Sequence, residues 1–143
     1  MINKIELKTL MSIERISKQF KDISLSLQAN PLNYDLIDTK NETAIARSIR
    51  NLVFTLPGER FFNQNFGSKV SKSLFENIDD VSASILQDEI KNSIENYEPR
   101  VDLIDVDVNP NYDSYEFNVT IKYYIIGIDA LPQQLTFALQ SAR

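Results

Sequence analysis

The sequence predicts an α+β fold in which two main helices pack on an antiparallel β-meander with an exposed edge. Two stretches repeat at helical spacing: Ile45, Ile49, Leu52, Val53 and Leu56, then Val81, Ile85, Leu86, Ile90, Ile94 and Tyr97. Beyond residue 103 the period changes to two. Ile104, Val106 and Val108 alternate with Asp105 and Asp107, and a longer strand alternates from Tyr115 to Ile125. At 143 residues, with 43% hydrophobic and 24% charged residues, the chain can bury one core without staples.

Taken in order, residues 1–21 mix apolar and charged positions irregularly and read as an N-terminal arm that needs another surface to pack on; residues 22–143 read as a single domain. Ile23-Ser24-Leu25-Ser26-Leu27 alternates like a strand with one buried face, and Asn30-Pro31 breaks it. Asn41 or Thr43 can cap the first helix, which Pro57-Gly58 stops, leaving Arg47 and Arg50 on its wet side. Phe61, Phe62 and Phe66 follow closely and are expected to plug the core beneath a loop. Gly67 marks a turn that a side chain would obstruct.

Asp79 or Asp80 can cap the second helix, where early acidic residues also suit the positive end of the helix dipole. That helix ends at Glu98-Pro99-Arg100, because proline disfavours helical backbone in the residue before it. Physical chemistry alone reads this corner as a helix stop whose charged pair sits in solvent. In the next segment Val101 and Leu103 are out of phase with Val106 and Val108, which predicts a bulge near Leu103. Asn109-Pro110-Asn111 is expected to begin the turn into the central strand. Leu135, Phe137 and Leu139 alternate after Pro132 as a last strand, whose outer edge has no later element to cover it.

Composition removes several function classes. With neither Cys nor His the chain has no disulfide, thiol nucleophile, thiolate metal site or His-based triad. Its three glycines form no phosphate-binding loop, so no cofactor and no metal are expected. The net charge of -5 is uneven: residues 1–73 hold eleven Lys/Arg against seven Asp/Glu, and residues 74–129 three against thirteen. That balance argues against nucleic acid as a partner. No apolar run reaches membrane-spanning length and the first residues lack a signal peptide's apolar region, so a soluble chain made in a cytoplasm is expected.

The order Ser48-Ile49-Arg50-Asn51-Leu52, Pro57-Gly58-Glu59-Arg60, Asn65-Phe66-Gly67, Leu74-Phe75-Glu76-Asn77 and Tyr97-Glu98-Pro99-Arg100-Val101, followed by the hydrophobic strand from Tyr115, resembles the baseplate wedge proteins, or sheath initiators, of contractile-tailed phages. That family includes the gene-25 protein of T-even phages and the corresponding type VI secretion baseplate subunit. The resemblance runs from residue 22 to residue 143. It implies a structural protein of the virion's tail baseplate, six copies around the tail tube, one per wedge, in contact with other baseplate wedge proteins and the tail sheath protein.

It further implies a fold resembling the sheath's strand-exchange domain, whose open sheet takes arms of the first sheath ring by β-strand augmentation and so templates sheath polymerisation. On that basis Glu98, Pro99 and Arg100 are the wedge-docking corner, and Leu135, Phe137 and Leu139 mark the candidate edge strand for sheath pairing. The competing functions are a generic acidic adaptor domain and a lysozyme-like glycosidase, and the latter needs two carboxylates with separated pKa values. Glu98 is the least poor acid, but neighbouring Arg100 should lower its pKa when a general acid needs it raised.

Overall fold

The computed structural model describes residues 20–23, 26–36, 38–128 and 130–141. Among these the chain runs β1 (Lys21–Ile23), β2 (Asp38–Lys40), α1 (Asn41–Phe54), α2 (Val70–Ser73), α3 (Asp80–Tyr97), β3 (Val101–Asn111), β4 (Glu116–Ile125) and β5 (Gln133–Gln140). β1 and β2 make a short antiparallel ladder. β3, β4 and β5 make the expected antiparallel meander with β4 in the centre. α3 packs on β3, and α1 packs on α3, so the fold is α+β with its helices backing the meander.

The core lies between those layers. α1 contributes Ile45, Ile49, Leu52 and Val53, α3 contributes Leu86, Ile90 and Ile94, and β4 contributes Phe117, Val119, Ile121, Tyr123 and Ile125. Each such side chain contributes about 1.5–3 kcal/mol when fully buried, so the alternating face of β4 is the largest single block of stabilisation in the sheet. Phe137 and Leu139 extend that face onto β5, while Val106 and Val108 extend it onto β3.

Several local expectations change. Ile23 ends β1 and is exposed, Leu27 is exposed with φ 48°, and Ser26 lies in a turn, so the alternation at 23–27 makes no strand with a buried face. Ser24 and Leu25, like nearly all of the N-terminal arm, lie outside the described residues. α1 starts after Lys40 with no side-chain cap, because Asn41 is engaged elsewhere: its amide donates to the Phe20 carbonyl (2.7 Å) and its side-chain oxygen accepts from the Phe20 amide (3.3 Å). Asn41 holds φ 48°, which a short polar side chain tolerates better than most. In α3 the face is shifted: Val81 and Ile85 are exposed, whereas Ser82, Ala83 and Ser93 are buried. Asp79 caps this helix by accepting from the Ser82 amide at 2.7 Å, which holds its carboxyl below the usual range.

In β3 the register shifts between Leu103 and Asp105, leaving Ile104 as the extra, unpaired residue of the expected bulge. The shift keeps Val106 and Val108 inward although Val101 and Leu103 belong to the other phase. Pro110 still pairs with Phe117, so the turn comes later than expected, at residues 112–115. Asn111 builds it by accepting from the amides of Asp113 (3.1 Å) and Ser114 (3.4 Å).

Gly67 behaves as the sequence indicates. At φ 127°, a Cβ there would run into the Thr55 carbonyl oxygen and lie 3.0 Å from its carbon and 3.1 Å from that of Leu56. The same carbonyl accepts the Ser68 amide at 2.9 Å, so the residues that follow α1 are fixed to the segment leading into α2. Gly67→Ala should therefore destabilise by at least ~2 kcal/mol in urea titration, combining strain and clash. Gly58→Ala, also at positive φ but with open space around it, should cost about 1 kcal/mol.

Candidate functional site

The Glu98-Pro99-Arg100 corner is built from the inside. The Glu98 amide donates to the Ile94 carbonyl (2.9 Å) as the last helical bond, and the Ile126 amide donates to the Arg100 carbonyl (2.8 Å) at the end of β4. Backbone bonds thus pin both flanks of Pro99. Glu98 is only 4% exposed, contrary to the expected solvent-exposed pair. Its carboxylate accepts from Arg100 twice, Nε to Oε1 at 2.5 Å and Nη2 to Oε2 at 2.7 Å, and from the Ser48 hydroxyl at 2.6 Å. The Ser48 oxygen in turn accepts from Arg100 Nη2 at 3.0 Å. A single hydroxyl on α1 therefore satisfies both members of a bidentate pair and ties the corner to the first helix.

Burial pushes the Glu98 carboxyl up. The Arg100 and Ser48 hydrogen bonds and the Arg100 charge outweigh it and hold the group below its ordinary value. Tyr123, in the central strand, responds in the opposite sense: burial, then the charges of Glu42 and Glu98, push its phenol up. Ser48 and Phe20 were not identified as site residues from the sequence. Ser48 had a signal, since a hydroxyl bordering the apolar stripe at Ile49 needs a partner once covered. Phe20, whose ring lies 5.5 Å from the Arg100 guanidinium carbon, had none.

The outward side of the corner is a cleft of about 480 Å³ whose walls include Asn51, Arg60, Phe66, Tyr97, Pro99 and Arg100. Pro99 is exposed and Arg100 one-third so; Glu98, although only 4% exposed, also borders the cleft. Arg60 lies over the Phe66 ring at 3.9 Å, and Phe66 meets Tyr97 at 5.5 Å between centroids. Of the three phenylalanines expected as a core plug only Phe66 is partly buried; Phe61 and Phe62 stand in solvent. Their loop closes on its own backbone, which leaves the tip no route inward.

The second candidate region lies across the sheet. Among the described residues β5 has β4 as its only ladder partner and β3 likewise, so the meander has two open edges. The edges differ in chemistry. β3 carries Asp102, Asp105, Asp107, Pro110 and the bulge, all features that discourage pairing. β5 reads Gln-Gln-Leu-Thr-Phe-Ala-Leu-Gln, with no charge, no proline and an unbroken register of eight pairs to β4. Phe137 and Leu139 are buried and Leu135 partly so, while Gln134, Thr136, Ala138 and Gln140 face outward. The three sequence-marked residues thus anchor the strand, and its free backbone forms the edge.

Glu98→Gln should cost about 2–3 kcal/mol, because the largely covered guanidinium of Arg100 loses its charged partner. With the folded pKa depressed, the Glu98 contribution is fully present above pH 4.5 and is lost as pH falls through the lower, folded value. Urea midpoints measured from pH 6 downward should therefore fall more steeply for the wild type than for Glu98→Gln.

The chain matches the family model of the baseplate wedge protein gp25 over residues 39–129. It is 31% identical over 127 residues to the baseplate wedge protein gp25 of Enterobacteria phage T4, covering 89% of this chain and 96% of that one. Among solved structures it resembles a chain of the anti-feeding prophage baseplate, with TM-score 0.67 and 27% identity over 78% of this chain and 89% of that chain. It also resembles a chain from Geobacter sulfurreducens described as a tail lysozyme, with TM-score 0.60 and 25% identity over 71% and 94% of the respective chains. The gp25 match extends from the β2–α1 junction through the corner and the central strand, and on that sequence and structural agreement the chain belongs to the baseplate wedge protein gp25 family.

Proposed function

We propose that this chain is a structural wedge subunit in the baseplate of a contractile tail, joining the wedge to the first sheath ring. The observation that carries the reading is the asymmetry of the meander: β3 is charged, bulged and proline-bearing, whereas β5 offers a regular, uncharged edge. A sheath strand added to β5 would gain its affinity from main-chain hydrogen bonds and its register from alternating side chains, and so would template further sheath rings. The corner at Pro99 and Arg100 docks the wedge, with Glu98 acting from inside by holding the guanidinium. Because Arg100 leads into β3, the two contacts lie on opposite sides of the sheet, which suits a link between two structures.

Six identical copies around the tube would make individually weak contacts act together. The protein would then be found in the tail baseplate of the virion, beside other wedge proteins and the sheath. A glycosidase reading has support from the lysozyme description of one structural relative, but Glu98 runs against it: the carboxyl is covered, triply hydrogen-bonded and held ionised, the reverse of a general acid. Release of soluble fragments from peptidoglycan by the purified chain would restore that reading.

The chain has no native Cys, so Ala138→Cys and Asp107→Cys each introduce a unique thiol on one edge strand. In assembled tails, Ala138→Cys should cross-link to the sheath protein and Asp107→Cys should not. The reverse pattern would move the receiving edge to β3, and no sheath cross-link from either would overturn strand addition.

A further inference from the structure

The loop of residues 57–67 presents two adjacent phenylalanines to solvent, Phe61 at 93% and Phe62 at 105% of full exposure. This is not loose chain. The Gly58 amide donates to the Gln64 carbonyl at 2.7 Å, the Leu56 amide to the Glu59 carboxylate at 3.0 Å and the Phe66 amide to the Asn63 carbonyl at 3.2 Å. Arg60 stacked on Phe66, and Gly67 pressed on Thr55, fix the remaining sides. Two aromatics held outward on a hydrogen-bonded loop are preorganised, which removes much of the ordering cost of association.

The loop is also continuous with the docking corner. Arg60 and Phe66 belong to the loop and line the cleft whose other wall is Pro99 and Arg100. We propose that Phe61 and Phe62 are the aromatic anchor of the wedge contact, inserting into an apolar pocket of a neighbouring wedge protein whose rim presents hydrogen-bond acceptors to Arg60 and Arg100. The proposal rests on the wedge reading above and extends it from the corner to the loop. Aromatic pairs backed by arginine are the side chains that dominate protein interfaces when they enter fully desolvated pockets.

A lipid surface fits this loop poorly. Its tip bears Glu59, Asn63, Gln64 and Asn65, all exposed; its one cation is stacked on Phe66; and the whole chain carries net charge -5. A neighbouring protein is therefore the occupant to which the chemistry points.

The test is the full-length Phe61→Ala/Phe62→Ala variant, coexpressed with the other wedge proteins. Its melting temperature should match the wild type, since neither ring touches the core, while its affinity for the wedge should fall at least ~30-fold. Phe61→Leu/Phe62→Leu should recover most of the binding. A double-alanine variant that copurifies as the wild type does would overturn the loop assignment and leave the wedge reading intact. A wild type that itself fails to copurify would overturn the wedge reading and this proposal with it. Two further results would also overturn the loop assignment: binding of the wild type, and not the variant, to anionic phosphatidylserine vesicles; or a wild-type dimer that the variant dissolves, which would make a second copy the occupant.

Discussion

A buried carboxylate decides how the molecule is put together. Glu98 ends α3, receives the guanidinium that opens β3, and accepts the hydroxyl of Ser48 from the middle of α1. An ionised carboxylate so deeply covered is tolerable only when its acceptor sites are satisfied. That requirement couples α1, the end of α3 and the start of β3 through one polar network. Apolar packing supplies most of the stability, but it is non-directional; the Glu98 network fixes the angle at which helix turns into sheet. Pro99 makes the corner stiff and the network makes it unique.

That corner sets the relation between the two surfaces on which the chain can be used. Because Arg100 leads directly into β3, the cleft at the corner lies at the charged side of the meander, and the uncharged β5 edge lies beyond β4. The short hydrogen bonds at the corner and the unbroken β4–β5 register make the span between them a rigid one. A link of this kind transmits position: whatever holds the corner also orients the free edge.

Long periodic segments were legible in the sequence, and so was Gly67, whose neighbours leave no room. α1, α3, β4 and β5, the bulge near Leu103 and the role of Gly67 all follow from local patterns that the tertiary structure reinforces. The misreadings share a cause. Phe61, Phe62, Val81 and Ile85 are apolar residues that local pattern assigns to a core, and only the three-dimensional arrangement shows that the available layer is already filled by β4 and its neighbours. Glu98 and Arg100 failed in the opposite sense. Nothing within five residues of the corner announces Ser48, fifty positions away, and without that partner a surface ion pair is the sound expectation. Asn41 was misassigned because its backbone and side chain bind Phe20, which converts an apparent cap into a splice between the incoming chain and α1.

The extra residue in β3 has a consequence for growth. Removing Ile104 from the sequence would leave Val101, Leu103, Val106 and Val108 alternating without interruption against Asp102, Asp105 and Asp107, a straighter strand with a straighter edge. A subunit with two good edges can sit in the middle of a chain of strands and pass the pattern on in both directions. One good edge and one spoiled edge make a terminus instead. On the strand-addition reading proposed above, a single inserted residue, helped by three aspartates, would give the molecule polarity and make it a place where a polymer starts and not one through which it continues.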